Sequence, residues 1–129
     1  MATMDYISGL LDELGIKYTY DDDRILTRWE TDNFDDLKVS IFTNRDESWI
    51  YFLAPFSNFY EFAVEDRNEL AVQMLKASWK VDGVQFVIDD EDDIMVMSES
   101  NNLKMSPEEA VTLLRNVVGG CEILYDIHP

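Results

Sequence analysis

Two apolar runs separated by only five residues constrain the fold of this chain most strongly. Val84, Phe86 and Ile88 alternate with Gln85 and Val87, the acidic stretch 89–93 follows, and the run 94–98 is apolar up to Met97. Alternation with a period of two residues is typical of β-strands. A parallel crossover needs a dozen residues or more, so a connection this short predicts an antiparallel hairpin.

Four earlier runs are also predicted to be strands and are separated by short polar stretches. They cover residues 16–20, 25–29, 37–43 and 48–54. The first three alternate, whereas the last is apolar on both faces. We expect the last of these strands to end at Pro55, because proline has no N–H group to donate to a neighbouring strand. The short connections predict a sheet that is mainly antiparallel.

Three other segments predict α-helices. The first repeats apolar residues at helical spacing, can be capped by Thr3 and stops at Gly15. Its apolar stripe consists of Met4, Ile7, Leu11 and Leu14. The second helix is expected to begin at Asp66, because Asp66 and Glu69 have the spacing of a capping box.

The third helix has the clearest start. Ser106 is a capping residue, Pro107 suits the first helical position, and Glu109 completes a capping box. Gly119 and Gly120 are expected to fray or end this helix. Residues 121–129 are open to three interpretations: a strand, a helix or a packed tail.

The order of elements defines the expected fold class. It is helix, four strands, helix, two strands, helix, which predicts an α+β fold with a mainly antiparallel sheet and three helices on one side. The chain has 129 residues and no repeat, linker or low-complexity segment. It therefore predicts a single domain over residues 1–129, large enough to bury a core without disulfides or metals.

The charge of the chain is strongly negative. Ten Lys and Arg residues stand against 27 Asp and Glu residues, a net charge of −17. A chain this acidic is not expected to bind nucleic-acid backbones or anionic membranes, which require clustered basic residues. It is expected to be highly soluble and to favour basic or amphipathic protein partners.

The cellular compartment is inferred from the cysteine content and from targeting signals. Cys121 is the only cysteine, so no disulfide forms within the chain, as expected in a reducing compartment. The N-terminus lacks the pattern of a signal peptide, and no apolar run approaches the ~18 residues of a membrane span. We therefore expect a cytoplasmic location.

A search for catalytic chemistry assigns no catalytic, metal-ligating or cofactor-binding residue. His128 is the only histidine and lies next to the C-terminal residue, and Cys121 has no other histidine to activate it. The stretch 89–93 could imitate a calcium loop, but such a loop would need Gly and Glu where Ile94 and Ser100 stand. A solvated hairpin turn is the favoured interpretation, with weak divalent binding as the alternative.

The aromatic residues carry more information about function. In the strand 48–54, Trp49, Tyr51 and Leu53 share one face, whereas the alternate residues of the other face are also apolar. The connection that follows adds further aromatic residues. The candidate partner-binding set is Trp49, Tyr51, Leu53, Phe56, Phe59 and Tyr60. These side chains either join the core beneath the folded loop or form a surface for self-association or peptide docking.

Residues 49–118 carry patterns found in a known family. The patterns are the helix end 74–79, the strands 84–89 and 94–97, and the helix start at Ser106, Pro107, Glu108 and Glu109. On these patterns the chain resembles the type III secretion chaperone-like fold. In detail it is similar to the bacterial YbjN-like proteins, which have been proposed to regulate sensory transduction.

The resemblance implies a small, acidic, non-enzymatic protein that is often dimeric and holds other polypeptides. In similar chaperones the second helix and the strand after it meet across the dimer axis. For this chain, the implied dimer interface consists of Leu75, Trp79, Val81, Val84 and Phe86.

Three hypotheses about function follow. The first is a non-catalytic protein-binding module, chaperone-like or a regulatory adaptor, that holds extended or amphipathic partner segments on the aromatic sheet face. The second is an acidic decoy that occupies a basic site on another protein, with its aromatic residues all buried. The third is an enzyme that uses paired carboxylates within 89–93.

Overall fold

The computed structural model describes residues 2–127, which form one six-stranded antiparallel sheet and three helices. The strand order is β1-β2-β3-β4-β6-β5. The elements are α1 (Ala2–Leu14), β1 (Thr19–Asp21), β2 (Arg24–Trp29), β3 (Leu37–Thr43), β4 (Ile50–Asn58), a 3₁₀ turn (Phe59–Glu61), α2 (Val64–Lys80), β5 (Gln85–Ile88), β6 (Asp93–Ser100) and α3 (Pro107–Ile127). The predicted fold class and the predicted order of helices and strands are confirmed.

The core lies between the three helices and one face of the sheet. α1 contacts β2 and β3, α2 contacts β5, and α3 crosses β4 and β6. Met4, Ile7 and Leu11 of α1 are buried, which confirms the predicted stripe, and Leu14 at its end is half-buried. Alternate residues of the strands meet the helices. On β4 these are Ile50, Phe52 and Ala54, all fully buried.

Two predicted helix starts are wrong. α1 already includes Ala2, so Thr3 lies inside the helix instead of capping it. α2 begins at Val64, after Ala63, which makes no side-chain capping bond. Asp66 therefore lies in the first turn, where its negative charge suits the positive end of the helix dipole. The capping-box spacing predicted the wrong start for α2, because acidic residues are common both at the N-cap and in the first turn of a helix.

The start of α3 is confirmed, but its predicted end is wrong. The Glu109 N–H donates to Ser106 Oγ at 3.1 Å. The helix then continues through Gly119 and Gly120 to Ile127. A Cβ atom on Gly120 would lie 2.6 Å from Val96 Cγ1, so glycine at this position allows the helix to approach the sheet closely.

The strand bounds also differ from the predicted runs, most of all for β1 and β4. β4 continues through Pro55, which pairs with Met95, and the register shifts between Pro55 and Ser57. The β3–β4 pairing ends at Leu53, so Pro55 lies where the strand is paired on one side only, and its missing N–H is tolerated. β1 begins at Thr19 rather than at Ile16, because the Ile16 N–H closes the end of α1 on the Leu11 carbonyl at 2.9 Å.

The acidic stretch forms the predicted hairpin turn between β5 and β6. Asp89 Oδ1 accepts hydrogen bonds from the N–H groups of Glu91 and Asp93, both at 2.9 Å. In the described part of the chain, no group of three or more His, Cys, Asp or Glu side chains is arranged to hold a metal ion. None of the helices within residues 2–127 combines the length and the hydrophobicity needed to cross a bilayer.

Candidate functional site

The sheet face turned away from the helices carries a row of half-exposed apolar side chains. Strand pairing brings Tyr51 opposite Phe42, Leu53 opposite Met97, and Val87 opposite Met95. The rings of Phe42 and Tyr51 lie 5.5 Å apart. We call this surface the outer sheet face and define it by Leu26, Phe42, Trp49, Tyr51, Leu53, Val87, Met95 and Met97.

Trp49 is held at the start of this surface by a local hydrogen-bond network. Asn44 Oδ1 accepts from the N–H groups of Ser48 at 2.9 Å and Trp49 at 3.0 Å. The Asn44 N–H in turn donates to the Trp49 carbonyl at 3.2 Å. The Trp49 side chain remains 37% exposed. Trp49, Tyr51 and Leu53 occupy alternate positions around the start of β4, and all three side chains keep part of their surface exposed.

Polar groups surround the apolar row. The Arg24 guanidinium lies 4.0 Å from the centre of the Phe42 ring. Arg28 and Lys38 face each other across β2 and β3, and Arg28 forms an ion pair with Asp36. Glu99 lies opposite Tyr51. The outer sheet face is thus amphipathic, with an aromatic and aliphatic centre and a charged margin.

Phe56 lies on the helix side of β4, at the position that continues the alternation of Ile50, Phe52 and Ala54. The Phe56 ring lies 6.3 Å from the Phe34 ring, which lies 5.8 Å from the Tyr125 ring of α3, both edge-to-face. These rings border an open cleft of about 450 Å³. We call it the aromatic cleft and define it by Phe34, Phe56, Glu61, Phe62, Asp66 and Tyr125.

The structure therefore divides the predicted partner-binding set. Trp49, Tyr51 and Leu53 lie on the outer sheet face, whereas Phe56 lines the aromatic cleft. Phe59 is partly buried against the core. The remaining residue, Tyr60, is 58% exposed beside the Arg67 guanidinium, 4.6 Å from the centre of its ring.

Phe34 is fixed by its own loop and by α3. Thr31 Oγ1 accepts from the Phe34 N–H at 3.1 Å, and the Thr31 N–H donates to the Phe34 carbonyl at 2.8 Å. Asn33 Nδ2 donates to Glu122 Oε2 of α3. Hydrogen bonds from Thr31 and Asn33 lower the pKa of Glu122 below its usual value. These contacts hold one wall of the aromatic cleft against the helix.

Sequence reasoning missed Phe34, Phe62 and Tyr125 as members of one site. They come from the β2–β3 connection, the segment before α2, and the end of α3. Residues this far apart in sequence leave no local periodicity to detect. Tyr125 also falls in the region for which the sequence left three interpretations open.

Cys121 and His128 are the two residues that the sequence analysis considered as a nucleophile and a proton carrier. Cys121 is fully buried in α3, and burial raises the pKa of its thiol to about 12. A thiol with this pKa stays protonated near neutral pH, as expected for a packing residue. Cys121 is therefore a free, buried cysteine in the described chain. His128 lies outside the described residues.

The residues of the predicted dimer interface have different exposures. Leu75 is 72% exposed on α2 and lines a groove of about 240 Å³ together with Met74, Phe86 and Ile88. Trp79, one turn further along α2, is 89% exposed. Val81 is partly buried. Val84 and Phe86 are 7% exposed and pack into their own core. Only the α2 part of the predicted interface is open within the described chain.

The fold is shared with solved structures, although the sequence identity to them is low. No family model matches the chain, and no curated protein matches it in sequence. YbjN, a proposed transcription regulator from E. coli, superposes with a TM-score of 0.70 at 16% identity, covering 94% of this chain and 87% of that chain. The fold is therefore YbjN-like, as the resemblance implied.

Two protein complexes contain chains of the same fold. A chain of the HopA1–SchA chaperone–effector complex matches with a TM-score of 0.67 at 10% identity, covering 98% of this chain and 97% of that chain. A chain of the heterodimeric ExoU–SpcU complex, from the type III secretion system of Pseudomonas aeruginosa, matches with a TM-score of 0.66 at 14% identity, covering 94% and 96%. The chain thus has the fold found in type III secretion chaperone complexes.

Proposed function

We propose that this protein is a non-catalytic protein-binding module, chaperone-like or a regulatory adaptor, that holds partner polypeptide segments on the outer sheet face. One observation carries the proposal: the face is lined by partly exposed aromatic, aliphatic and methionine side chains, and Trp49 is 37% exposed. Exposed apolar surfaces larger than a few hundred Å² usually mark interaction sites on soluble proteins. No catalytic residue, metal or cofactor is assigned.

The shared fold supports the same role. HopA1–SchA is a chaperone–effector complex, and ExoU–SpcU is a heterodimer from a secretion system. Both complexes contain a chain that this fold resembles over nearly its whole length. A sheet with one helix-covered face and one open face is suited to hold a second polypeptide.

The chemistry of the surface favours extended or amphipathic segments. Apolar side chains of a partner would be buried between Tyr51, Leu53 and Met97, and the flexible Met95 and Met97 can adapt to different partners. A partner strand could also add to the open edge of the sheet at β5. The net charge of −17 would attract basic segments and keep the protein soluble.

The aromatic side chains also weigh on the alternatives. The decoy hypothesis predicts aromatic residues that are all buried, yet Trp49 is 37% and Tyr60 is 58% exposed. This exposure favours docking of partners over a purely acidic decoy. For a carboxylate enzyme the candidate stretch 89–93 is a hairpin turn, in which Asp89 bonds backbone N–H groups.

The test compares two tyrosines on opposite faces of the sheet. Tyr51 lies on the outer sheet face, whereas Tyr20 pairs with Ile25 and lies on the helix side, 51% exposed. Proteins captured from a native lysate are identified, and the affinity of the main one is measured by calorimetry. We expect Tyr51→Ala and Trp49→Ala each to weaken binding by about 2 kcal/mol, as for an aromatic hot spot.

Tyr20→Ala is the control and is expected to leave the affinity unchanged. Circular dichroism verifies that all three variants remain folded. Equal affinities for the wild type, Tyr51→Ala and Trp49→Ala would contradict the role of the outer sheet face.

We further propose that the protein is a cytoplasmic homodimer. The exposed α2 residues Leu75 and Trp79 support self-association, because burying such large apolar side chains against a second copy of the chain removes them from water. Two-fold dimers are the commonest oligomers. The lone cysteine supports a reducing compartment.

A further inference from the structure

We propose that the aromatic cleft binds an arginine side chain of the partner polypeptide, an inference that rests on the proposed protein-binding function. The cleft has a volume of about 450 Å³, within the range of ~300–1,000 Å³ that is usual for ligand pockets. It combines aromatic rings with carboxylates. This combination matches a planar cation better than an apolar or anionic group.

The ring arrangement is the first argument. Phe34, Phe56 and Tyr125 come from a loop, a strand bulge and a helix, and their edge-to-face contacts at 6.3 and 5.8 Å fix them relative to each other. Phe62 lines the same cleft. The faces of aromatic rings carry negative charge density and attract cations within about 6 Å. A fixed set of rings from separate elements is a preorganised surface for such a cation.

The carboxylates are the second argument. Glu61 and Asp66 are exposed at the cleft, and Glu61 Oε2 accepts from Ser57 Oγ at 3.1 Å. No Lys or Arg lines the cleft. The single ion pair formed within residues 2–127 joins Arg28 to Asp36, so neither cleft carboxylate is neutralised by the described chain.

The neighbouring Arg67 is held elsewhere. Its Nε donates to the Phe62 carbonyl at 3.0 Å and its terminal nitrogen donates to the Tyr60 carbonyl at 3.1 Å. Its guanidinium lies against the Tyr60 ring. Arg67 does not line the cleft and forms no ion pair within residues 2–127, so the cation proposed for the cleft comes from the partner.

Cation–ring contacts recur elsewhere in this structure. Arg24 lies over Phe42 at 4.0 Å, and Lys104 Nζ lies over Tyr6 at 4.7 Å. An arginine suits the aromatic cleft better than a lysine, because the planar guanidinium stacks on rings and forms two parallel hydrogen bonds to a carboxylate. The acidic net charge would draw such a residue towards the surface.

The experiment titrates the full chain with N-acetyl-arginine methylamide and follows backbone and aromatic resonances by NMR. The neutral citrulline analogue is the ligand control, because it keeps the shape of the side chain and removes its charge. We expect saturable shifts at Phe34, Phe56 and Tyr125 in the millimolar range with the arginine probe only. Equal binding of the citrulline probe, or no saturable shift at these rings, would overturn the proposal.

A pair of double variants separates the cleft from general charge effects. Glu61→Gln with Asp66→Asn removes two charges at the cleft, and we expect the arginine probe to bind roughly fivefold more weakly. Asp21→Asn with Asp23→Asn removes two charges at the far end of β2 from Phe34. That end of β2 is farther from the cleft than the Debye length of about 8 Å, so the second pair of substitutions should change binding of the arginine probe less than about twofold.

The test of the aromatic cleft can fail without contradicting partner binding on the outer sheet face. If the arginine probe fails to bind while Tyr51→Ala still weakens partner binding, the cleft inference fails and the proposed function stands. If the cleft resonances instead shift with protein concentration in the absence of probe, a second copy of the chain occupies the cleft, and the arginine assignment is wrong.

Discussion

At the scale of single residues, Cys121 shows how packing determines chemistry. The thiol is fully buried, and burial raises its pKa to about 12, with a smaller contribution from the Glu122 charge. We predict that a disulfide reagent such as DTNB does not label the native protein near neutral pH, because labelling requires both access and a thiolate. The measurement is the labelling rate without and with guanidinium, and complete labelling of the unfolded chain is the control. Rapid labelling of the native chain would show that α3 opens locally.

Glu122 gives a prediction about pH. Hydrogen bonds from Thr31 and Asn33 lower its pKa in the folded state. A carboxylate whose folded pKa lies below the unfolded value of about 4.3 adds stability that is fully present above that value. This stability is lost as the pH falls through the folded pKa. We therefore expect Glu122→Gln to lower the melting temperature at pH 7 and to have little effect at pH 2–3.

The control for this comparison is Glu13→Gln, which changes an exposed carboxylate on α1. We expect a small change in melting temperature at both pH values for this control. If Glu122→Gln lowers the melting temperature equally at pH 7 and at low pH, the loss reflects packing and not the charged hydrogen bonds.

At the scale of elements, α3 contains a matched pair of glycines. Gly119 is exposed, and a Cβ atom there would meet nothing within 4 Å. Gly120 is buried, and its Cβ would meet Val96 Cγ1 at 2.6 Å and Val84 Cγ2 at 3.1 Å. Valine side chains are stiff, so neither neighbour can turn away without cost.

We predict opposite effects of alanine at these two positions. Gly119→Ala should stabilise the protein by up to about 1 kcal/mol, the helix propensity gained. Gly120→Ala should destabilise it by about 1–3 kcal/mol through overpacking against β5 and β6. Urea unfolding of both variants measures the difference. Stabilisation by both substitutions would mean that α3 packs less closely on the sheet than the structure indicates.

Most elements of this fold are predictable from sequence because their signals are local. The α1 stripe, the Ser106 cap and the hairpin around 89–93 each depend on a few neighbouring residues, and each is confirmed. The wrong boundaries arose where a tertiary contact overrides a local signal. From the sequence alone, Gly120 predicts a helix end, but in the fold it allows α3 to pack closely on Val96. Pro55 likewise predicts a strand end, but β4 is paired on one side only at that point, so the strand continues.

The candidate site also has a part that local sequence signals predict and a part that depends on tertiary contacts. Period-two alternation sufficed to place Trp49, Tyr51 and Leu53 on one face, because no distant contact is needed to know which residues alternate. The aromatic cleft, in contrast, depends on rings from distant segments. Such a site arises only when the chain has folded, so no single stretch of the sequence predicts it.

At the scale of the whole molecule, charge and apolar surface oppose each other in self-association. Each chain carries −17, so a pair carries twice that, −34. Salt near 0.15 M screens charges beyond about 8 Å, which confines the repulsion to groups close to the contact. Leu75 and Trp79 offer a surface on α2 that is largely exposed and contains no charge of its own.

We therefore predict a homodimer that uses α2 and buries at least ~1,200 Å² in total, the lower limit for a stable interface. Size-exclusion chromatography with light scattering at tens of micromolar protein should give twice the chain mass of 15.0 kDa. Trp79→Asp should give a soluble monomer, because it places a charge in the contact. Val64→Asp, which changes a 72% exposed residue at the other end of α2, is the control and should remain dimeric. A mass of 15.0 kDa for the wild-type chain would contradict the dimer and would leave Leu75 and Trp79 free to contact another partner.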